Sequence, residues 1–280
     1  MDGELVLTLL SENTVRKLGL RGEHGFSVFL KKNGFRVLFD TGQSGLFLDN
    51  ARILNVPVSK SDAIFLSHGH YDHTGGLLPV MEQSSAPVYG HPDIFMERFA
   101  DPGPGIKPRN IGMPFPQSTF EDRGMMERFT LSKEPCEVEG FRLTGYVPRT
   151  TSFESMGRFF FKDRSLKTPD DIPDDQSLFI QTGPGLVVVL GCCHSGLINT
   201  LGRIGTLTGN AHIHWIIGGT HLVAADDARL DETARALDKI GFDRISPVHC
   251  TGFRAQSYLF ERYGDRYVPL VCGNTVKIPL

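Results

Sequence analysis

Ser67-His68-Gly69-His70-Tyr71-Asp72-His73-Thr74-Gly75-Gly76 puts three imidazoles and one carboxylate within positions 68–73. Histidine and aspartate are the ligands that borderline divalent metals such as zinc take. The residues just before, Ala63-Ile64-Phe65-Leu66, read as a buried strand. Thr74 is placed to cap a helix that runs through Leu77 and Leu78 toward Met81. The four candidate ligands His68, His70, Asp72 and His73 therefore fall on a strand-to-helix turn, where a rigid scaffold aims them inward. A solvated polar loop is the other reading, and it leaves the His-x-His-x-Asp-His spacing and the paired glycines without a reason.

Outward from this cluster the chain alternates. Leu5 to Leu10, Phe26 to Leu30 and Phe35 to Phe39 read as consecutive strands, with Lys32-Asn33-Gly34 as the turn between the last two. A helix is expected from about Leu46 to Leu54, and a short parallel strand over Pro87 to Tyr89. The second half replays this pattern without repeating the sequence. Strands are expected at Ser177 to Gln181, Leu186 to Leu190, Ile213 to Ile217 and Ile245 to Val248, with a helix from about Asp226 to Ile240. Strand pairs followed by β and α units imply an α/β sandwich of two sheets with helices outside. Two Pro/Gly-rich, aperiodic segments, around 101–119 and 163–175, read as loop insertions into one domain spanning 1–280. Such loops are lids, substrate walls or mobile insertions.

Composition narrows the function. A chain of 280 residues buries a core without disulfides or structural metals, so a metal site here reads as catalytic. A net charge of −3 gives no basic footprint for nucleic acid, and no apolar run is long enough for a membrane. Five cysteines without framework spacing, and an acidic start without a signal-peptide pattern, lead to the expectation of a reduced, cytoplasmic protein. The adjacent Cys192 and Cys193 read as packed and inert.

Three more histidines follow expected strands: His194 after Leu186 to Leu190, His221 after Ile213 to Ile217, and His249 after Ile245 to Val248. Ligands gather at the carboxyl ends of strands in open α/β sheets. Four strand ends each carrying histidine are hard to obtain from packing alone. His212, His214 and His91 read as ordinary structural residues, and His24 is left open.

With these residues in view, the chain resembles the metallo-β-lactamase superfamily, whose Phe39-Asp40-Thr41-Gly42 segment it also carries. Narrower similarities include Glu23-His24-Gly25-Phe26-Ser27, Asp174-Asp175-Gln176, Gly191-Cys192-Cys193-His194-Ser195-Gly196 and Gly218-Gly219-Thr220-His221-Leu222. Together they resemble the subfamily named for a 7,8-dihydropterin-6-methyl-4-(β-D-ribofuranosyl)aminobenzene-5′-phosphate synthase. The resemblance implies an αββα sandwich with the metal site at one sheet edge. It implies His68, His70 and His194 around a first ion, Asp72, His73 and His249 around a second, and Asp40 bracing ligands from behind. Thr220-His221 stands where the superfamily usually has a bridging aspartate. His221 is therefore expected to hold one ion or to contact substrate.

The cofactor expected is one or two divalent ions, zinc first, with iron or manganese as alternatives. A redox di-iron site in this superfamily typically carries a carboxylate at the position of His70, so His70 favours hydrolytic or phosphate chemistry. The first expectation is hydrolysis of a phosphate ester or related small molecule by a metal-bound hydroxide, with Asp72 and His221 as catalytic groups. The second is transfer of a dihydropterin-methyl group from its diphosphate to a ribofuranosyl-aminobenzene phosphate, with pyrophosphate leaving. The third is a metal-stabilised ligand-binding protein without turnover. The partner in each case is a small molecule, phosphorylated or pterin-like, with Arg109, Arg149 and Glu154 as candidate substrate contacts.

Overall fold

The computed structural model describes residues 3–155 and 159–280. Alternation of apolar residues builds its first sheet. Along the strand Glu4–Ser11, Leu5, Leu7 and Leu9 face one side and are fully buried. This strand pairs antiparallel with Thr275–Pro279 and Ser27–Lys32, and Ser27–Lys32 pairs antiparallel with Phe35–Phe39. The direction then changes: Phe35–Phe39, Ala63–Phe65, Val88–Gly90 and Phe129–Leu131 run parallel, completing seven strands.

The second sheet repeats the scheme with six strands. Cys136–Val138, Phe141–Leu143, Leu178–Gln181 and Leu186–Leu190 are antiparallel neighbours, and Leu186–Leu190, Ile213–Gly219 and Arg244–Val248 are parallel. The two sheets pack face to face. Val187, Val189 and Trp215 of the second meet Leu7, Val37 and Phe65 of the first in one apolar core. Side chains one position along turn outward. Leu186, Val188 and Leu190 pack on the helices Leu197–Thr208, Asp227–Ile240 and Phe253–Tyr263, while Leu38, Ile64 and Val88 pack under Leu46–Ile53 and Leu77–Met81. The layers are helix, sheet, sheet, helix. The Trp215 indole, buried in this core, donates to Ser246 Oγ at 2.9 Å, and Ser246 Oγ donates to Val268 O at 2.6 Å.

Two local expectations change. Thr74 does not begin a helix; it ends the short helix Tyr71–Thr74, and its hydroxyl donates to His70 O at 2.8 Å. The following helix starts behind Gly76. Gly75 and Gly76 are crowded rather than loose, since a Cβ would stand 1.9 Å from Gln43 O at the first and 2.4 Å from Thr41 O at the second. The segment around 101–119 is also not all loop. Arg109–Asn110 pairs with Phe99–Ala100, which pairs with Phe160–Phe161 in a small third sheet, and Gln117–Glu121 is helical.

Candidate metal centre

The strand Ala63–Phe65 delivers its ligands beside Asp40. Ser67 N donates to Asp40 Oδ1 at 2.7 Å, and Ser67 Oγ donates to Asp40 Oδ2 at 2.7 Å. Gly69 passes so close to Ile94 O that a Cβ would lie 2.1 Å from it. Its N–H donates to Asp174 Oδ2 at 2.7 Å. Asp174 is in turn held by the buried guanidinium of Arg98, at 2.9 and 2.6 Å, and Arg98 Nε donates to Asp170 at 2.8 Å. The ligand loop is therefore fixed by charge-assisted bonds to its backbone.

Six side chains converge from three strand ends. His68 Nε2 lies 3.0 Å from His70 Nδ1 and 3.2 Å from His194 Nε2. His73 Nε2 lies 3.2 Å from His249 Nε2, and Asp72 Oδ2 lies 3.3 Å from His249 Nε2 and 3.8 Å from His73 Nε2. The outer nitrogens of His68, His73 and His249 are engaged elsewhere. His73 Nδ1 donates to Asp40 Oδ2 at 2.7 Å and His249 Nδ1 to Asn13 Oδ1 at 2.9 Å. Since Ser67 Oγ spends its proton on Asp40, His68 Nδ1 must donate to Ser67 Oγ at 2.9 Å. These bonds aim the Nε2 atoms of His68, His73 and His249 inward, while His70 presents Nδ1. Two ligand atoms each about 2.0–2.1 Å from a tetrahedral ion stand about 3.3–3.4 Å apart. The observed separations, 3.0 to 3.8 Å, bracket that spacing, so the donor set fits a divalent ion.

Electrostatics agrees. Burial holds His68, His70 and His194 well below the ordinary histidine range, so they are neutral and able to ligate. Burial pulls His73 down too, but Asp40 and Asp72 outweigh it and raise it to about 9. Asp72 is pushed up by burial and brought well below the carboxylate range by His73, His24 and His249, so it stays ionised. In the metal-free centre His73 thus carries a proton at neutral pH, and a metal must displace it. Zinc affinity is expected to rise with pH until about 9, and uptake at pH 7 to release a proton. Calorimetry in buffers of different ionisation enthalpy reads this; a buffer-independent heat would contradict it.

The sequence pattern of the metallo-β-lactamase superfamily matches residues 20–189. The chain belongs to the metallo-β-lactamase superfamily. It is similar, at 30% identity over 99% of its length and 97% of the relative's, to the 7,8-dihydropterin-6-methyl-4-(β-D-ribofuranosyl)-aminobenzene-5′-phosphate synthase of Methanocaldococcus jannaschii. A crystal structure of a metal-dependent hydrolase of the β-lactamase superfamily superposes with a TM-score of 0.80, at 27% identity over 99% of this chain and 100% of that one. The zinc-bound PqqB of Methylobacterium extorquens shares the fold alone, with a TM-score of 0.55 and 14% identity over 97% and 99% of the two chains. As a member, the chain is an enzyme of the metallo-β-lactamase fold, built around a divalent-metal centre.

Within this metallo-β-lactamase centre, several residues carry backbone that side chains rarely adopt. Asp40, Cys193, His221 and His249 all have φ between 49° and 62°, a concentration of strain that marks functional sites. His221 sits beside His194, ring centroids 4.3 Å apart, and its Nδ1 has no partner among the described residues. Arg109 lies over the Tyr71 ring at 4.6 Å, on the rim. Arg149 donates to His194 O at 2.8 Å and Asp171 O at 2.5 Å, bracing the ligand strand end. Glu154 accepts from Ile198 N and Asn199 N at 2.9 and 2.8 Å and pairs with Arg229. His212 and His214 share Asp243 at the far end of their strand.

Other residues of the site escaped sequence reasoning. His24 Nε2 lies 3.1 Å from Asp72 Oδ2, and that hydrogen bond raises its pKa. Glu12 accepts from His249 N at 2.8 Å. Phe160, from the small third sheet, stands 5.5 Å from the rings of both His70 and His194. Cys192 Sγ is 3.0 Å from His73 Nε2. The Glu23-His24-Gly25 segment carried a signal for His24; Arg98 lies in no such segment.

Proposed function

We propose that this protein is a metal-dependent hydrolase of a small phosphorylated molecule, acting in the cytoplasm on a substrate other than nucleic acid. We assign His68, His70 and His194 to one ion and Asp72, His73 and His249 to another, with zinc as the metal. The observation that carries the reading is the six converging donors beneath a cavity of about 410 Å³, lined by His24, Tyr71, Ile111, Phe160, His221 and Val223 among others. Such ions, when bound, would supply an acidified water and positive charge for a reacting phosphoryl group. The protein does the rest. Asp40, Ser67 and Asn13 fix the ligand tautomers. His24 holds the Asp72 carboxylate in place. Ile111 and Phe160 limit bulk water at the centre, which strengthens every charge interaction inside. The Arg109 guanidinium at the rim attracts the anionic substrate. His221 faces the cavity with an open nitrogen and contacts the leaving group.

A second cavity of about 390 Å³, lined by Phe153, Glu154, Phe159 and Arg229, shares His194 and His221 with the first. Two lobes meeting at one centre favour a second reading: transfer between two substrates. The whole-length similarity to the synthase supports it. In that reaction the arylamine nitrogen forms a bond to the pterin methylene carbon and loses its proton. The carbon–oxygen bond to diphosphate breaks, and pyrophosphate leaves.

Zinc-loaded protein offered phosphomonoesters, phosphodiesters and a pterin-methyl diphosphate separates these. Phosphate release from an ester without any acceptor supports the hydrolase. Pyrophosphate release that depends on the arylamine supports the transferase. Turnover in neither assay, with tight ligand binding, would overturn both in favour of a binding protein.

A further inference from the structure

We propose that Cys192 is a thiolate ligand shared between the two groups of metal donors. This rests on the two-ion reading above and goes beyond its six ligands. Cys192 Sγ lies 3.0 Å from His73 Nε2. With Asp72, His73 and His249 it forms a set whose donor atoms all lie within 4.8 Å, and with His68 and His194 it forms another within the same limit. Of the side chains in these two sets, Cys192 alone belongs to both. A bridge between two ions about 3.5–4 Å apart needs that placement.

The chain drives the sulfur there. Gly191 ends the strand against the ligand loop, so close that a Cβ would stand 2.2 Å from Ser67 Oγ. The next residue, Cys192, is 3% exposed and points into the histidines. Its neighbour turns away: Cys193 adopts φ 62° and its thiol donates to Thr200 Oγ1 at 3.2 Å under a helix. Cys250 is also occupied, accepting from His221 N at 3.3 Å and donating to Cys192 O at 3.5 Å.

Charge favours an anion at this point. Among the six proposed ligands only Asp72 is negative, and the His68 group has no carboxylate. Two divalent ions would bring four positive charges into a buried site, where uncompensated charge is costly. The imidazole of His221 offers no bridge and no negative charge. A thiol that ligates such an ion does so deprotonated, its proton leaving to solvent.

Cobalt substitution tests this without relying on activity. Cobalt-loaded wild type is expected to show a sulfur-to-cobalt charge-transfer band. Cys192→Ser should abolish it, while Cys193→Ser and Cys250→Ser retain it. Zinc-edge X-ray absorption of the unmutated protein should show a sulfur neighbour at about 2.3 Å, which guards against misfolding of the variant. Cobalt uptake without the band, a band that survives Cys192→Ser, or zinc with only nitrogen and oxygen neighbours would overturn the thiolate while leaving the metal centre standing. Failure of the wild type to take up cobalt or zinc would overturn the metal-centre reading itself, and this proposal with it.

Discussion

Arg98→Ala is expected to destabilise the protein by about 3–5 kcal/mol, the cost of stranding a buried charge partner. Arg98 is fully buried, and its guanidinium is the counter-charge to both Asp170 and Asp174. Without it, two carboxylates remain in the interior. Burial already pushes Asp174 up, and Arg98 pulls it down. The effect also reaches the site, because Asp174 Oδ2 holds Gly69 N between two ligand histidines. The variant should therefore show a lower denaturant midpoint and weaker zinc retention together. A loss below about 1 kcal/mol, as for a surface ion pair, would contradict this account of the loop. Arg98→Lys keeps the charge but not the fork, and should fall between.

Asp72→Ala should lower turnover by at least about 100-fold. Removing only an outer partner of a metal-ligating side chain costs about 10–100-fold, and Asp72 is itself a proposed ligand and the one carboxylate among the six. His24→Gln removes the partner of Asp72 rather than the ligand, and should cost about 10-fold with the metal retained. Steady-state kinetics with metal content measured on the same samples distinguishes the two. An Asp72→Ala enzyme above about a tenth of wild-type kcat/KM would remove Asp72 from the chemistry.

Much of the architecture was legible because two signals coincide. Apolar strands show in local pattern, and metal-type residues cluster at their ends, so His194 and His249 were recognisable far from His68. What stayed hidden depends on tertiary contact. Arg98 reaches Asp170 and Asp174 across 72 and 76 positions, in a stretch with no motif. The strands Phe99–Ala100 and Arg109–Asn110 are two residues each and exist through pairing alone. Thr74 looked like a cap because Ser/Thr before an apolar run usually is one; here Asp72 and His73 were themselves helical. Cys192 reads as inert packing because nothing local shows that five histidines lie around it.

Ligands from separate strand ends are proposed to assemble one divalent-metal centre. Metal analysis of zinc-repleted wild type beside His68→Ala and His249→Ala tests it most directly, one variant per proposed ion. The account predicts at least about one equivalent in the wild type and a clear loss in each variant. Less than about 0.5 equivalent in the wild type, unchanged by either substitution, would contradict it.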